Sequence, residues 1–161
     1  MTACPKPVKE KRKKKKRPKS ERQIIKAKLD AIVPQITKQR DGWQCVTCGD
    51  RSRPTNGHVI PCSVYGVRWD LANQHCQCAP ENFIHRTKPH IYISWFIKEF
   101  GLDMWNELNR RAGSRLEKDW SVIEMRELLE RYEDLLERMQ TLGVYDRSML
   151  IAMGAYGQLH I

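Results

Sequence analysis

The chain has 161 residues, a formal net charge of +10 and six cysteines. None of its apolar runs approaches the roughly 18 residues expected of a membrane-spanning helix, and no apolar signal segment follows the N terminus. Cysteines without a secretory signal favour a reducing compartment and metal binding over disulfides. We therefore expect a cytoplasmic protein with no membrane partner, long enough for one modest domain with appendages.

The positive charge lies in an N-terminal arm, residues 1–19. The first 20 residues hold ten lysines or arginines and one acid, whereas the rest of the chain is nearly balanced. This run repels itself and cannot bury apolar surface, which predicts disorder in the free protein. Because phosphate backbones attract such an arm by releasing counterions, we expect it to contact nucleic acid, with a targeting tail as the alternative. Its central basic residues are Lys13, Lys14, Lys15, Lys16 and Arg17.

Residues 20–43 predict a helical lead-in to the rest of the chain. Ser20 and Gln23 have the spacing of a capping box, and apolar residues then recur at helical spacing. Pro34 is unfavourable inside a helix. We therefore expect a broken helix over residues 21–29 and 31–40.

A pair of cysteine-containing turns dominates the next segment, residues 44–100. Cys45 and Cys48 are separated by two residues, and Cys78 follows about thirty residues later. Cysteines two apart in a tight turn converge on one metal ion, and a second turn can complete the tetrahedron. This spacing predicts a structural Zn²⁺ site.

Short strand and helix signals lie between and after these turns. Val59–Ile60 and Leu71–Asn73 predict two small strands, and Pro80 suits the first turn of a helix. The resulting strand, strand, helix unit across residues 55–87 is too small to be stable through burial alone. Metal binding should therefore supply part of its folding energy.

Residues 101–143, with the apolar segment before them, predict helices. A helix should end near Gly101, and a shorter one should stop at Gly113. Ser121 and Glu124 predict a capped helix over residues 121–142 with apolar residues at heptad spacing. We favour packing of this seam onto the chain's own helices over a homodimer. The fold class is thus α+β and mostly helical, and residues 144–161 show no clear pattern.

Several residues between the cysteine turns suit phosphodiester cleavage. His58 can serve as a general base because imidazole titrates near neutrality. Asn82 and His85 are three apart in the predicted helix, so they share a face and can hold Mg²⁺ or Mn²⁺. Residues placed in sequence for phosphate contacts are Arg68, Arg86 and Lys88.

This ordered set of motifs resembles the HNH, or ββα-metal, endonucleases, and within them the NinG (Rap) recombination nucleases of lambdoid phages. The likeness covers about residues 20–138. The motifs that carry it are Cys45-Val-Thr-Cys48-Gly49, Gly57-His58, Arg68-Trp69 with Asn73, Gln77-Cys78-Ala-Pro-Glu81-Asn82, and Trp120-Ser121.

The resemblance implies a small zinc-stabilised ββα-metal core with flanking helices. His58 would then be the general base, Asn73 would orient the loop, and Asn82 would hold the catalytic cation. It also implies DNA as the partner, branched recombination intermediates in particular, in a phage-infected or lysogenic bacterial cell. The alternative is a non-catalytic zinc-knuckle protein that binds nucleic acid.

Two departures from the family pattern leave ligand positions open. Glu81 stands where the family has its last zinc cysteine, so we prefer Cys76 as the fourth zinc ligand, with Glu81 or His75 as alternatives. Glycine precedes His58, where many HNH enzymes have a carboxylate ligand. For the second cation ligand we expect His85, with Asp70 in reserve.

Overall fold

The computed structural model describes residues 18–142, the side chain of Lys118 excepted, and the predicted arm and C-terminal tail lie outside these residues. The described part is mostly helical with one two-stranded antiparallel sheet. None of its helices has the length and apolarity that crossing a membrane requires. The elements are α1 Glu21–Arg40, β1 Pro54–His58, a 3₁₀ turn Leu71–Asn73, β2 Gln74–Cys78, α2 Ala79–Thr87, α3 Pro89–Phe100, α4 Leu102–Ala112, a 3₁₀ turn Glu117–Asp119 and α5 Val122–Leu142.

The lead-in is one continuous helix, so the predicted break between residues 29 and 31 is wrong. Helix α1 begins at the expected capping box of Ser20 and contains Pro34 in its interior. A proline inside a helix costs about 3 kcal/mol. Burial of a large aliphatic side chain returns roughly 1.5–3 kcal/mol, and α1 buries several of them against α5. Tertiary packing therefore outweighs the local preference.

The C-terminal helix α5 packs along α1, as the heptad spacing predicted for the chain's own helices. Its Ser121–Glu124 capping box is present, with the Ser121 hydroxyl accepting from the Glu124 amide at 3.1 Å. Most of the seam is buried in one apolar cluster with Ile25, Leu29 and Ile36 of α1. A homodimer through this helix stays a prediction. The buried seam residues are Met125, Leu128, Leu135 and Met139.

The hairpin confirms the predicted order of strand, strand and helix, but the predicted strand positions are wrong. Strand β1 ends just before Val59–Ile60, and strand β2 begins just after Leu71–Asn73. Their register pairs Pro54 with Cys78 and His58 with Gln74. Val59 and Ile60 leave the ladder and pack in a second apolar cluster with α3 and α4. The predicted second strand, Leu71–Asn73, is a 3₁₀ turn, because the Asp70 carboxylate caps it by accepting from Ala72 N at 2.9 Å.

The α1–α5 interface should dominate the stability of the described part of the chain. Leu29 is fully buried there, so we expect Leu29→Ala to lower the free energy of unfolding by about 2–5 kcal/mol. Chemical denaturation followed by circular dichroism measures this change. Leu102→Ala is the control, since Leu102 is 57% exposed on α4 and its loss should change stability by about 0.5 kcal/mol or less. Equal effects of the two substitutions would contradict the packing.

Candidate functional site

The first cysteine turn is closed by backbone hydrogen bonds. Gly49 N donates to Cys45 O, and Cys45 N donates to Asp50 O, both at 2.8 Å. Gly49 has φ +78°, a left-handed conformation that glycine adopts without a steric penalty. The turn therefore places Cys45 and Cys48 on one side, facing the start of α2.

Three thiols converge at this point. The Sγ atoms of Cys45, Cys48 and Cys78 all lie within 4.8 Å of one another, and those of Cys48 and Cys78 are 3.7 Å apart. Burial raises the pKa of Cys45, but the Thr47 hydroxyl and backbone amides around the sulfur outweigh it and lower that pKa to about 7. Amides that face a sulfur favour the thiolate, which is the form that binds metal. The cluster thus fits a metal ion such as zinc.

Two of the three candidates for a fourth zinc ligand lie away from the thiol cluster. Cys76 is fully buried. This burial is the main cause that raises the pKa of its thiol to about 11, and the negative charge of Asp41 adds to it. Its sulfur is not in the group formed by the other three thiols. His75, the other of these two candidates, is only 1% exposed. Its ring nitrogens contact Arg40 and Ala72 O, and its ring packs against the aromatic side chains of α3.

Glu81, the third candidate, lies in the first turn of α2 between the thiol cluster and His85. The Thr47 hydroxyl donates to Glu81 Oε2 at 3.3 Å and is itself 3.2 Å from Cys45 Sγ. The same carboxylate oxygen is 3.4 Å from His85 Nε2. Glu81 therefore lies beside His85 and is linked to the thiol cluster through the Thr47 hydroxyl.

A buried ion pair that the sequence analysis missed holds this region to α1. The Arg40 guanidinium donates to both carboxylate oxygens of Asp41, and Asp41 Oδ2 accepts from Cys76 N at 2.7 Å. Arg40 also donates to Leu71 O and Gln74 O at 2.8 and 2.7 Å. The available signal was a charged Arg-Asp pair where a helix meets a cysteine turn, but charge alone does not distinguish a buried pair from a solvated one.

His58, the expected general base, faces α1. It lines a cavity of about 170 Å³ between α1 and the hairpin, together with Asn56, Arg68 and Gln74. Burial, aided by the charge of Arg68, lowers the pKa of His58 to about 4. The imidazole is therefore neutral near pH 7, and in this enclosed position it is a weaker base than a free imidazole.

The three residues expected to contact phosphate have different surroundings. Arg68 is already paired, because its guanidinium makes two hydrogen bonds to the Asp30 carboxylate at 2.9 and 3.0 Å. It also donates to Cys62 O at 2.7 Å. Arg86 and Lys88 are exposed at the end of α2. The exposed pair can reach a ligand without breaking a described ion pair, whereas Arg68 cannot.

Asn73 is fully buried and holds the loop that follows β1. Its side-chain oxygen accepts from Ile60 N at 2.7 Å, and its amide donates to Ile60 O and Val67 O at 2.9 and 3.0 Å. These are the contacts that a loop-orienting residue makes. They leave the side chain without a free donor for substrate.

Asn82 and His85, the expected cation ligands, lie on the opposite face of the hairpin from His58. The Asn82 amide donates to Thr55 Oγ1 at 3.1 Å and to Asn56 O at 3.4 Å. His85 is 5% exposed, contacts Gln77 through Nδ1, and stacks on Tyr92 with ring centroids 4.7 Å apart. Burial lowers the pKa of His85, so this imidazole is also neutral near pH 7.

The two faces meet at the outer edge of β1. Val59 N donates to Asn73 O at 2.9 Å, and bonded pairs alternate with non-bonded pairs in an antiparallel ladder. The Asn56–Cys76 pair is therefore non-bonded, and its backbone groups point outward. Asn82 binds the outward Asn56 carbonyl, two residues before His58.

The reserve ligand, Asp70, is not brought to Asn82 or His85. Its carboxylate pairs with Arg111 at 2.6 Å and faces a different cavity of about 620 Å³, between the loop before β2, α4 and α5. Burial raises the pKa of Asp70 even though Arg111 opposes this shift. Asp70 therefore serves the packing of α4 and the 3₁₀ turn.

Comparison with known proteins identifies the family. The sequence model of the family described as Bacteriophage Lambda NinG protein matches residues 5–141. The chain belongs to the NinG family. Neither the search of curated proteins nor the search of solved structures gave a significant match.

The thiol cluster should bind zinc and couple it to folding. We expect about one zinc per chain by elemental analysis, and we expect Cys45→Ser to lose the metal and the structure of residues 45–87, because metal binding contributes folding energy in such sites. Cys62→Ser is the matched control, since Cys62 is an exposed cysteine outside the cluster. A well-folded wild-type protein without zinc would contradict the prediction.

Proposed function

We propose that this protein is an HNH-type endonuclease that hydrolyses DNA phosphodiesters with a divalent cation. The observation that carries the proposal is the arrangement that follows the cysteine turn. A hairpin bearing His58 on β1 leads directly into α2, which carries Asn82 and His85. This order of elements is that of a ββα-metal core, and membership of the NinG family supports it.

His58 is the proposed general base. It would take a proton from the attacking water through its neutral imidazole. Asn73 would act indirectly by fixing the loop between Ile60 and Val67 beside the histidine. These assignments give each of the two residues one role, proton transfer for His58 and positioning for Asn73.

Asn82 and His85 are the proposed holders of the cation. Carboxylate, amide oxygen and imidazole are suitable donors for Mn²⁺, and oxygen donors suit Mg²⁺. A cation bound there would neutralise charge that develops on the phosphate. The two side chains project from one helix face towards the hairpin, which keeps the donor atoms in fixed positions.

The proposed substrate is DNA, and branched recombination intermediates in a phage-infected or lysogenic cell are the substrate class that the family suggests. The basic arm would supply contacts to phosphates independent of sequence, as polycations do on nucleic acids. Arg86 and Lys88 would add exposed charges at the end of the helix that carries Asn82. The zinc held by the three thiols would be structural in this scheme.

A second candidate function is a zinc module that binds nucleic acid without cleaving it. The observation in its favour is the enclosure of His58 beneath α1, on the face of the hairpin opposite to Asn82. The pairing of Arg68 also favours a module that does not cleave, because Asp30 already pairs with its guanidinium.

Substitution of the proposed base separates the two functions. We expect His58→Ala to keep fold, zinc and DNA affinity while plasmid nicking falls by roughly a hundredfold or more, the scale of a lost general base. The dependence of wild-type kcat/KM on pH should show its acid limb near the His58 pKa of about 4, because only the neutral ring accepts a proton.

His90→Ala is the control, because His90 is exposed at the start of α3. Asn82→Ala should instead weaken the response to added Mg²⁺ or Mn²⁺, with EDTA as the blank. Wild-type cleavage by His58→Ala would remove the HNH mechanism and leave the zinc module.

Deletion of residues 1–19 tests the arm. We expect weaker DNA binding and a flatter dependence of affinity on salt, because ten positive charges leave together. Fluorescence anisotropy over a salt series measures both. A full-length variant with Lys13, Lys14, Lys15, Lys16 and Arg17 replaced by glutamine should share the effect, and unchanged slopes would assign the arm to targeting.

A further inference from the structure

Gln77 and His85 are buried side chains in contact between β2 and α2, and each carries one polar atom without a hydrogen-bond partner among the described residues. Gln77 is fully buried and its Oε1 has no partner among the described residues. His85 Nε2 has none either, although it lies 3.4 Å from Glu81 Oε2. A buried polar group without a partner destabilises the folded protein. The unpartnered His85 nitrogen beside the Glu81 carboxylate therefore indicates a ligand that satisfies it.

The His85 ring is fixed on two sides. Tyr92 stacks on it with an angle of 8° between the rings, and the Gln77 amide nitrogen contacts Nδ1. Rotation of the ring would lose both contacts. Nε2 is therefore aimed at the Glu81 carboxylate, which is the more exposed of the two groups, with 26% of its side chain accessible.

We propose that Glu81 joins Asn82 and His85 in the divalent-cation site and that Gln77 is the positioning residue that presents His85 Nε2 to the cation. This inference rests on the proposed function for its location and deepens it, because it gives a cation role to Glu81, which the sequence offered as an alternative zinc ligand. Glutamate and histidine four residues apart share one helix face, as the pair does here. An imidazole ligand favours Mn²⁺, Co²⁺ or Ni²⁺ over Mg²⁺.

Gln77 suits this task because an amide can present either of its ends to Nδ1. With its NH₂ group towards Nδ1, as the contact stands, the ring proton lies on Nε2 and faces Glu81. A cation bound at Nε2 would require the other tautomer, with the single ring proton at Nδ1, so the net proton count would be unchanged. The amide in its turned-over orientation would then accept from Nδ1 through Oε1. That oxygen gives up no described hydrogen bond when it turns.

Glycine at position 57 makes room for this amide. A Cβ built on Gly57 would lie 1.9 Å from Gln77 Oε1 and 2.5 Å from its amide carbon. Any larger residue at position 57 would therefore displace the amide from His85. This gives a local reason for the glycine where many HNH enzymes have a carboxylate, since the carboxylate is supplied by Glu81 from α2.

The experiment is titration of the zinc-loaded, full-length protein with Mn²⁺, followed by electron paramagnetic resonance and by broadening of the His85 ring signals in NMR. Gln77→Met keeps volume but cannot hydrogen-bond, and we expect roughly 10–100-fold weaker Mn²⁺ binding, as for a lost partner of a ligating histidine. Gln77→Glu still accepts from Nδ1 and should bind Mn²⁺ at least as tightly as the wild type. Gln74→Met is the matched control, a buried glutamine on the other face of β2, and should leave Mn²⁺ affinity unchanged.

The outcomes separate this site from the nuclease proposal. Glu81→Gln should weaken Mn²⁺ binding and keep zinc, whereas loss of zinc with unchanged Mn²⁺ affinity would return Glu81 to the thiol cluster and overturn the inference. Unbroadened His85 signals in a wild-type protein that cleaves DNA would also overturn it, even if Gln77→Met fails to fold. Broadened signals in a protein that does not cleave would support the site and reject the nuclease.

Discussion

The buried pair of Arg40 and Asp41 is the interaction on which the rest of the structure depends. The pair lies at the end of α1. Arg40 donates to the backbone carbonyls of Leu71 and Gln74, and Asp41 accepts a hydrogen bond from the Cys76 amide. Val46, next to the first thiol, then donates to Cys76 O at 2.9 Å. Removing one partner of a buried pair leaves an uncompensated charge and costs about 3–5 kcal/mol. This charged pair thus fixes the hairpin to the end of α1, and the cysteine turn is joined to the same strand through Val46.

This arrangement explains why the hairpin is polar on both faces. The face towards α1 carries Asn56 and Gln74, with Thr37 donating to Asn56 at 2.7 Å. The other face carries His75 and Gln77, which contact α1 and α2 through hydrogen bonds. A sheet of two strands buries little apolar area, so hydrogen bonds and the thiol cluster replace an apolar core here. The two apolar clusters lie outside the hairpin, one on each side.

The same polarity sets the limit of prediction from the sequence. Helices α3, α4 and α5, the three-thiol group and the order of strand, strand and helix followed from apolar spacing, capping residues and cysteine spacing. The strands did not, because apolar runs mark burial, and the buried Val59–Ile60 pair lies just beyond the ladder. The helix break expected near Pro34 was wrong, because long-range packing holds α1 together. The buried environments of Arg40 and His75 depend on contacts far away in sequence, which no local pattern carries.

The remaining constraint is the geometry of β1 itself. Successive side chains of a strand point to opposite faces, so His58 cannot share a face with Gly57, the residue that contacts Gln77. A base on one face and a cation site on the other can act on one phosphate only where the faces meet, at the outer edge of the strand. The outward carbonyl of Asn56 and the amide of Asn82 mark that edge. In the proposed nuclease a DNA strand therefore lies across the edge of β1, and it must reach the His58 cavity, which Pro34 and Cys62 also line.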